Sequence, residues 1–547
     1  MWRKALLPIV LAALACAQDQ SQTGSIAGIV RDAATDAPLQ GVRVSIAGNS
    51  ATTDAQGRFT FERIEPGSQW ISASDTAHGG HAGIEVLVTA GQQSTAEIRL
   101  KLGGTIAGHV LNEDREPLAG AAVLLLDRKY EYGELAYTPT KTVAAAKDGS
   151  YRFDAVPPEQ TFMILAKKPL KAVDPGDNFP ADLDKRERVL LPSLYPDARD
   201  LAGAQTVTLS PGEARTGVDI RMLSAPSYCI EGDVDRAGEA RQISLSVTER
   251  LSFESGWYLT PAAVTPQPDG KFRACGLHPG DYHLSTSNLQ GEARMFANAQ
   301  AEADVTVTDR DLRDVKVLHR TEAYIPGDVA LDPPPTDNRA DLSVAMVRLM
   351  KGGDGYADST EKPPNYAVSG GLSIGDRVHA SGSFTIGRFP PGDWQLNVRY
   401  LPAGCYLKEA SFGNQDVLYA PLRLNQAAGG EPLHLTVACD GGTLTARVMD
   451  KDGNPVSHVT LYLMPAGAPS QGALALGLRR STVVRSWSSP LTALPPGKYL
   501  ALATGEDLDA TSADQVDKLW RARGQAKEVE IGPNATVQVT LEPIELP

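Results

Sequence analysis

Apolar and polar residues alternate in short runs along most of the chain, and one run keeps returning. Ile26, Gly28 and Val30 share the spacing Ile-x-Gly-x-Val with Ile106, Gly108 and Val110, with Ile230, Gly232 and Val234, and with Ile325, Gly327 and Val329. Leu444, Ala446 and Val448 make a fifth copy. A period of two puts every second side chain on one sheet face, so each copy predicts a half-buried strand, and five opening strands predict five modules. A second alternating strand follows each one: Val42-Val44-Ile46, Ala121-Val123-Leu125, Ile243-Leu245-Val247, Leu342-Val344-Met346 and Val459-Leu461-Leu463.

A third signature joins an aromatic alternation to an apolar residue, Pro-Gly and another aromatic. It reads Phe59, Phe61, Ile64, Pro66-Gly67 and Trp70 in the first module, and Phe272, Leu277, Pro279-Gly280 and Tyr282 in the third. The fourth has Phe384, Phe389, Pro391-Gly392 and Trp394, and the fifth keeps Leu494, Pro496-Gly497 and Tyr499. The second departs, with Tyr151, Phe153 and Val156 but Pro158-Glu159 in place of Pro-Gly. Pro fixes φ and Gly tolerates positive φ, so the dipeptide predicts a hairpin corner. Trp70, Tyr282, Trp394 and Tyr499 are expected in the core. Each module closes with two alternating runs around a polar turn, as in Ile84-Val86-Val88 with Ile98-Leu100. The expected fold is all-β: a tandem array of about five antiparallel Greek-key β-sandwich modules of prealbumin or Ig-like type. One short helix is expected near the C-terminus, from Ser512 to Arg523, with Ser512 and Gln515 as a capping box and Gly524 ending it.

The order Ile-x-Gly-x-Val, Pro38-Leu39-Gln40-Gly41-Val42, Asp54-Ala55-Gln56-Gly57-Arg58-Phe59 and Pro66-Gly67 resembles carboxypeptidase regulatory-like domains. The likeness is best from Ile26 to Leu100, good over Thr105 to Met222 and Thr443 to Leu541, and weaker in the modules starting at Ile230 and Ile325. It implies a transthyretin-like, carbohydrate-binding-like sandwich, and it resembles tandem-module exported bacterial proteins. The expected boundaries are 1–17 for a signal peptide, then 22–101, 102–223, 224–320, 321–438 and 439–547 for the five sandwiches.

Composition adjusts this picture in three places. A length of 547 residues exceeds what one core supports, and 51 Gly with 38 Pro, scattered without period, suit many short turns. A net charge of −14 disfavours nucleic acid and anionic membrane surfaces, which require a basic face. Arg3 and Lys4 before the apolar run Ala5 to Ala15 form an export signal, with Ala15-Cys16-Ala17 at the cleavage site. Ala13-Leu14-Ala15-Cys16 also resembles a lipid-attachment box, which makes Cys16 a lipidation candidate. No later run reaches the ~18–20 apolar residues of a membrane span. Export permits disulfides. The remaining four cysteines allow three pairings, and pairing within modules, Cys229 with Cys275 and Cys405 with Cys439, is the simplest.

Catalytic motifs occur only in fragments. His319-Arg320-Thr321-Glu322 has metallocarboxypeptidase spacing, but it falls at a module junction with no room for a catalytic domain. Gly371-Leu372-Ser373-Ile374-Gly375 matches a nucleophile elbow without the helix that must follow, and is expected as a loop. His78-Gly79-Gly80-His81 is expected as a glycine-rich loop, and Asp450-Lys451-Asp452-Gly453-Asn454 as a turn without the distal acid of a calcium loop. Neither cofactor nor metal is expected. Aromatics in insertions are the candidate ligand-loop residues: Tyr130, Tyr132 and Tyr137, Trp257 and Tyr258, Tyr356 and Tyr366. These features predict a non-enzymatic exported protein, periplasmic, outer-membrane-associated or extracellular, serving as spacer and interaction scaffold for a protein or polysaccharide of the cell envelope. A carbohydrate-binding protein using the loop aromatics is the alternative, and an accessory part of a secreted peptidase system a third reading.

Overall fold

The computed structural model describes residues 23–46, 48–79, 82–131, 133–171, 174, 180, 182–235, 243–251, 262–288, 301–319, 324–333, 342–351, 372–387, 392–424, 431–456, 459–484 and 486–547. One compact unit takes Met1–Asp75 and His81–Leu100, and a second takes Thr76–Gly80 and Lys101–Pro547. The fold is all-β with two α-helices among the described residues.

In the first unit Gly24–Asp32 lies between Arg58–Ile64 and Gln93–Leu100 in a three-stranded sheet. Asn49–Thr52, Arg43–Ile46, Gly67–Ser74 and Ala82–Val88 form the facing four-stranded sheet. Ile26, Val44, Phe61, Ile71 and Ile98 fill the space between, each at most 6% exposed. Burial alternates along Arg58–Ile64 as the sequence pattern requires.

Two expectations need correction. The opening and closing strands pair in parallel, Ser25 opposite Gln93 through Asp32 opposite Leu100. The same parallel pairing joins Gly104–Leu111 to Ile220–Arg221, Tyr228–Val234 to Leu312–His319, Tyr324–Leu331 to Leu433–Ala438, and Gly442–Val448 to Thr536–Leu541. Nor is Pro-Gly a hairpin corner. Arg58–Ile64 pairs with the opening strand and Gly67–Ser74 with Arg43–Ile46, so Pro66-Gly67 carries the chain between sheets. Alternation specifies which face a residue occupies and leaves the neighbouring strand open, which is why both features escaped the sequence pattern. Gly67 has φ 129° and Gly497 φ 156°; at Glu159, which replaces this glycine in the second module, the backbone is left-handed at φ 61°.

Position after the corner decides which aromatic is buried. Tyr282, Trp394 and Tyr499 come two residues after the glycine and are buried. The Tyr282 hydroxyl donates to the His278 carbonyl at 2.7 Å and that of Tyr499 to the Pro495 carbonyl at 2.7 Å. Trp70 comes three residues after, which turns it to the opposite face, 45% exposed, while Gln69 takes the buried place and donates to the Glu65 carbonyl at 3.2 Å.

The helical expectation is half complete. α2 (Ala513–Ala522) forms with Ser512 at its N-cap, but the Ser512 side chain makes no capping bond, and Gln515 instead accepts from the Asp509 amide at 2.5 Å. A further helix, α1 (Gln471–Gly477), is capped by Ser470, whose hydroxyl accepts from the Ala473 amide at 3.1 Å. The predicted strand Leu342-Val344-Met346 is a 3-10 turn over Leu342–Val344 followed by the strand Met346–Lys351.

Candidate interaction surface between modules

The second module carries a sheet with no solvated face at its centre. Along Ala122–Glu131, Val123 and Leu125 point into the sandwich core while Leu124 and Leu126 join an outer apolar layer with Met163, Leu165, Leu194 and Tyr137. A sheet apolar on both faces must be covered twice. Leu201 and Ala204 help to cover it from the module's own insertion, and Leu251 from the third module.

The hairpin end of this sheet meets the fifth module. The Tyr130 amide donates to the Thr511 carbonyl at 2.7 Å, and Lys129 forms an antiparallel bridge with Ser512. Arg128 donates to Asp514 at 3.0 Å, and the other oxygen of that carboxylate accepts from the Thr161 amide at 2.5 Å. The Tyr130 hydroxyl donates to Gln471 at 2.7 Å, and its ring joins the apolar layer that α1 and α2 form over Tyr462, Met464 and Leu502. Approach is close enough that a Cβ on Gly472 would lie 1.8 Å from the Gly133 carbonyl oxygen. At the edge of this contact Asp127 is 7% exposed, and burial, with Asp509 and Asp514 adding to it against Lys129, pushes its carboxyl up to about 6.

Two further joints tie neighbouring modules. Arg186, in the second module's insertion, holds Asp311 through two bonds of 2.7 and 2.8 Å and donates also to the Ser227 carbonyl at 3.2 Å. Asp311 in turn accepts from the Cys229 amide at 3.0 Å; burial opposes its charge, but Arg186 and that amide hold its carboxyl below the ordinary value. Nearby, His278 and Glu249 form a buried pair at 3.1 Å. Burial works against the charged ring, and Glu249 nevertheless carries His278 above its ordinary value. Between the fourth and fifth modules, Asp440 accepts from the Tyr406 hydroxyl at 3.0 Å, and its carbonyl accepts from the Asn534 amide at 2.6 Å.

The cysteines pair as Cys229–Cys275 and Cys405–Cys439. Cys229 stands opposite Cys275 in the pairing of Tyr228–Val234 with Lys271–Leu277. Cys405 and Cys439 extend the register in which Tyr406 faces Ala438.

Of the candidate ligand-loop aromatics, Tyr130 lies in a strand, not a loop, and is half-buried against the fifth module. Tyr137 is in the partner strand, 7% exposed. Tyr132, Trp257, Tyr258, Tyr356 and Tyr366, with Cys16, lie outside the described residues. Ser373 is in the strand Leu372–Arg377 rather than a loop, paired with Met350. The Asp450 carboxylate accepts from the amides of Asp452 and Asn454, which makes that segment a turn. Among the described residues no group of three or more acidic, His or Cys side chains could hold a metal ion, and no helix is long and apolar enough to cross a membrane. The Arg186–Asp311 and Arg128–Asp514 contacts were beyond sequence reasoning, because nothing in the alternation marks which charged residue faces another module.

Residues 25–101 match the family model of the carboxypeptidase regulatory-like domain. No curated protein matches the chain. Solved structures that resemble it include the streptococcal ancillary pilin, 12% identical over 54% of this chain and 99% of its own, with a TM-score of 0.20. BcpA, the major pilin subunit of Bacillus cereus, is 13% identical over 58% of this chain and 99% of its own, with a TM-score of 0.15. The RrgB pilus protein of Streptococcus pneumoniae is 7% identical over 81% and 99%, with a TM-score of 0.15. Likenesses of this size carry no functional argument.

Proposed function

We propose that the chain is a non-enzymatic, exported scaffold of the cell envelope or extracellular space, built of five sandwiches at 22–101, 102–223, 224–320, 321–438 and 439–547, that engages an envelope protein. The observation that carries this reading is the set of contacts binding the fifth module to the second, from Tyr130 to Thr511 and from Arg128 to Asp514. Chemistry-bearing side chains are spent there on holding modules in place. The return of the fifth module onto the second also favours an interaction scaffold over a spacer, because it shortens what modules two to five can span. Export is supported by the leader-like residues 1–17 and by two disulfides.

Two assays test the reading. The purified mature protein is expected to show no turnover across peptidase, esterase and glycosidase substrates, and to fractionate outside the cytoplasm; turnover abolished by a single substitution would overturn it. The carbohydrate-binding alternative is favoured by the exposed Trp70. It requires saturable binding to a polysaccharide that Trp70→Ala, or Trp257→Ala with Tyr258→Ala, removes.

A further inference from the structure

In all five modules the chain enters along one strand and leaves along its parallel neighbour. The seam of the first runs unbroken from Ser25 beside Gln93 to Asp32 beside Leu100. The amides of Ser25 and Ala33 close its two ends on the Gln92 and Leu100 carbonyls, at 3.0 and 2.8 Å. In the fifth it runs from Thr443 beside Thr536 to Val448 beside Leu541, and in the fourth from Gly327 beside Leu433 to Leu331 beside Val437. That of the third shifts register between Ile230 and Gly232. That of the second is split, with Thr105 and Ile106 beside Ala214 and Arg215, then Val110 and Leu111 beside Ile220 and Arg221. Across the seam of the three middle modules the residue after the glycine also pairs an acid with a base. His109 lies 3.3 Å from Asp219, Lys316 2.5 Å from Asp233 and His434 2.6 Å from Asp328. Exposed pairs add little to equilibrium stability, yet all three tie the strand that enters a module to the strand that leaves it.

Two parallel strands place the start of the first and the end of the second at opposite ends of the seam. A pull along the chain therefore slides one strand past the other and strains every hydrogen bond between them at once. An antiparallel terminal pair, entered and left at the same end, would instead peel open bond by bond. We propose that the chain is built to carry tension along its length, each module resisting by shear of its parallel seam. Forced unfolding follows the unfolding barrier, and a barrier crossed only when many bonds break together resists a pull that successive breakage does not. The unbroken seam of the first module makes it the stronger element, and the split seam of the second the weaker. The second and fifth modules are also joined directly, from Tyr130 to Thr511, so modules three and four form a loop that tension reaches only after that contact parts. The disulfides then limit how far those two modules extend, Cys229–Cys275 withholding a separation of 46 residues and Cys405–Cys439 one of 34. Bearing tension goes beyond the role of interaction scaffold and requires no particular partner.

Single-molecule pulling of the mature chain with two placements of the handles tests this. In the first the handles sit at the two termini. In the second the leading handle moves to a cysteine in the exposed turn just past the opening strand, Ala34→Cys, so that the same pull peels the first seam from the end where Asp32 lies beside Leu100. Opening of the first module is recognised by a gain of about 25–27 nm from the termini and about 22–24 nm from residue 34, at ~3.3–3.6 Å per freed residue. The force at which it opens is expected to fall about twofold or more when the handle moves to residue 34. The melting transition of Ala34→Cys is expected to stay in place, which assigns the fall to the direction of pull. From the termini, the second module, marked by a gain of about 39–42 nm, is expected to open at lower force than the first. A force that does not change between the two placements, or a first module that opens before the second from the termini, would overturn the proposal.

Discussion

Gly28 and Phe59 face each other across the first module's sheet, so closely that a Cβ on Gly28 would lie 2.3 Å from the ring and 2.6 Å from the Ala96 carbonyl oxygen. The pair recurs as Gly108 with Tyr151, Gly232 with Phe272 and Gly327 with Phe384. The carbonyl belongs to the parallel closing strand at Val315, 1.9 Å, and Leu433, 2.6 Å from the imagined Cβ, and to Val218, 2.0 Å, just before the closing strand Ile220–Arg221 in the second module. At Gly28 and Gly327 an aromatic ring and a neighbouring backbone both approach the glycine, and at Gly108 and Gly232 the neighbouring backbone comes nearest. Gly28→Ala is expected to destabilise the first module by about 1–3 kcal/mol, read as a lowered melting transition, because a carbonyl cannot move aside as a side chain can. An unchanged transition would show that the approach is not what selects glycine.

The disulfides yield a second expectation. Cys229–Cys275 closes a separation of 46 residues and Cys405–Cys439 one of 34. In the chain-entropy account each contributes about 4 kcal/mol by restricting the unfolded chain. Cys229→Ala with Cys275→Ala should lower the denaturant midpoint of the third module by a corresponding amount and leave the first module's transition in place. Equal effects on both modules would contradict independent cores.

Arg186 and Asp311 present a buried pair whose partners fare unequally alone. Arg186→Met leaves a carboxylate that still accepts from the Cys229 amide but has lost its cation. A cost of about 3–5 kcal/mol is expected for removing one partner, and a smaller cost for Arg186→Met with Asp311→Leu. A double-mutant cycle by chemical denaturation checks it; additive losses would mean the two side chains do not act as a pair.

Asp127 also makes stability depend on pH, with a definite sign. Its folded value of about 6 lies above the ordinary 3.8, so the native chain holds this proton more tightly than the unfolded one. Stability falls as pH rises from about 4 to about 6, by about 3 kcal/mol at one and a third kcal/mol per unit. Asp127→Asn should therefore gain up to that amount at pH 7 and nothing at pH 3.5, measured by urea unfolding at the two pH values. A gain of the same size at both would assign the effect to packing rather than charge.

How much of this could be read from the residues alone follows from what alternation encodes. Ile26, Phe59 and Val44 advertise their faces, and the opening, second and aromatic strands came out where the pattern put them, with the fourth module's second strand as the exception. Pairing partners are not encoded in this way, so the parallel closing strand and the crossover at Pro66-Gly67 were invisible. Trp70 differs from Tyr282 by one step after the corner, and one step reverses the face. α1 escaped notice because Gln471–Gly477 is apolar nearly throughout and glycine-flanked, a composition explained only once it lies between a sheet and the Gly133 tip. The docking of the fifth module on the second joins residues 341 to 386 positions apart, such as Tyr130 with Gln471 and Arg128 with Asp514. Only the folded chain brings them together.

That docking is the central claim, and a cysteine pair tests it most directly. Lys129 and Ser512 are bridge partners, with backbones about 5 Å apart as in any antiparallel pair, within reach of a disulfide. Lys129→Cys with Ser512→Cys in the otherwise intact chain should form an intramolecular bond under mild oxidation, identified by mass mapping of a non-reduced digest beside Cys229–Cys275 and Cys405–Cys439. Free thiols at 129 and 512 after oxidation, or bonds formed only between chains, would contradict it.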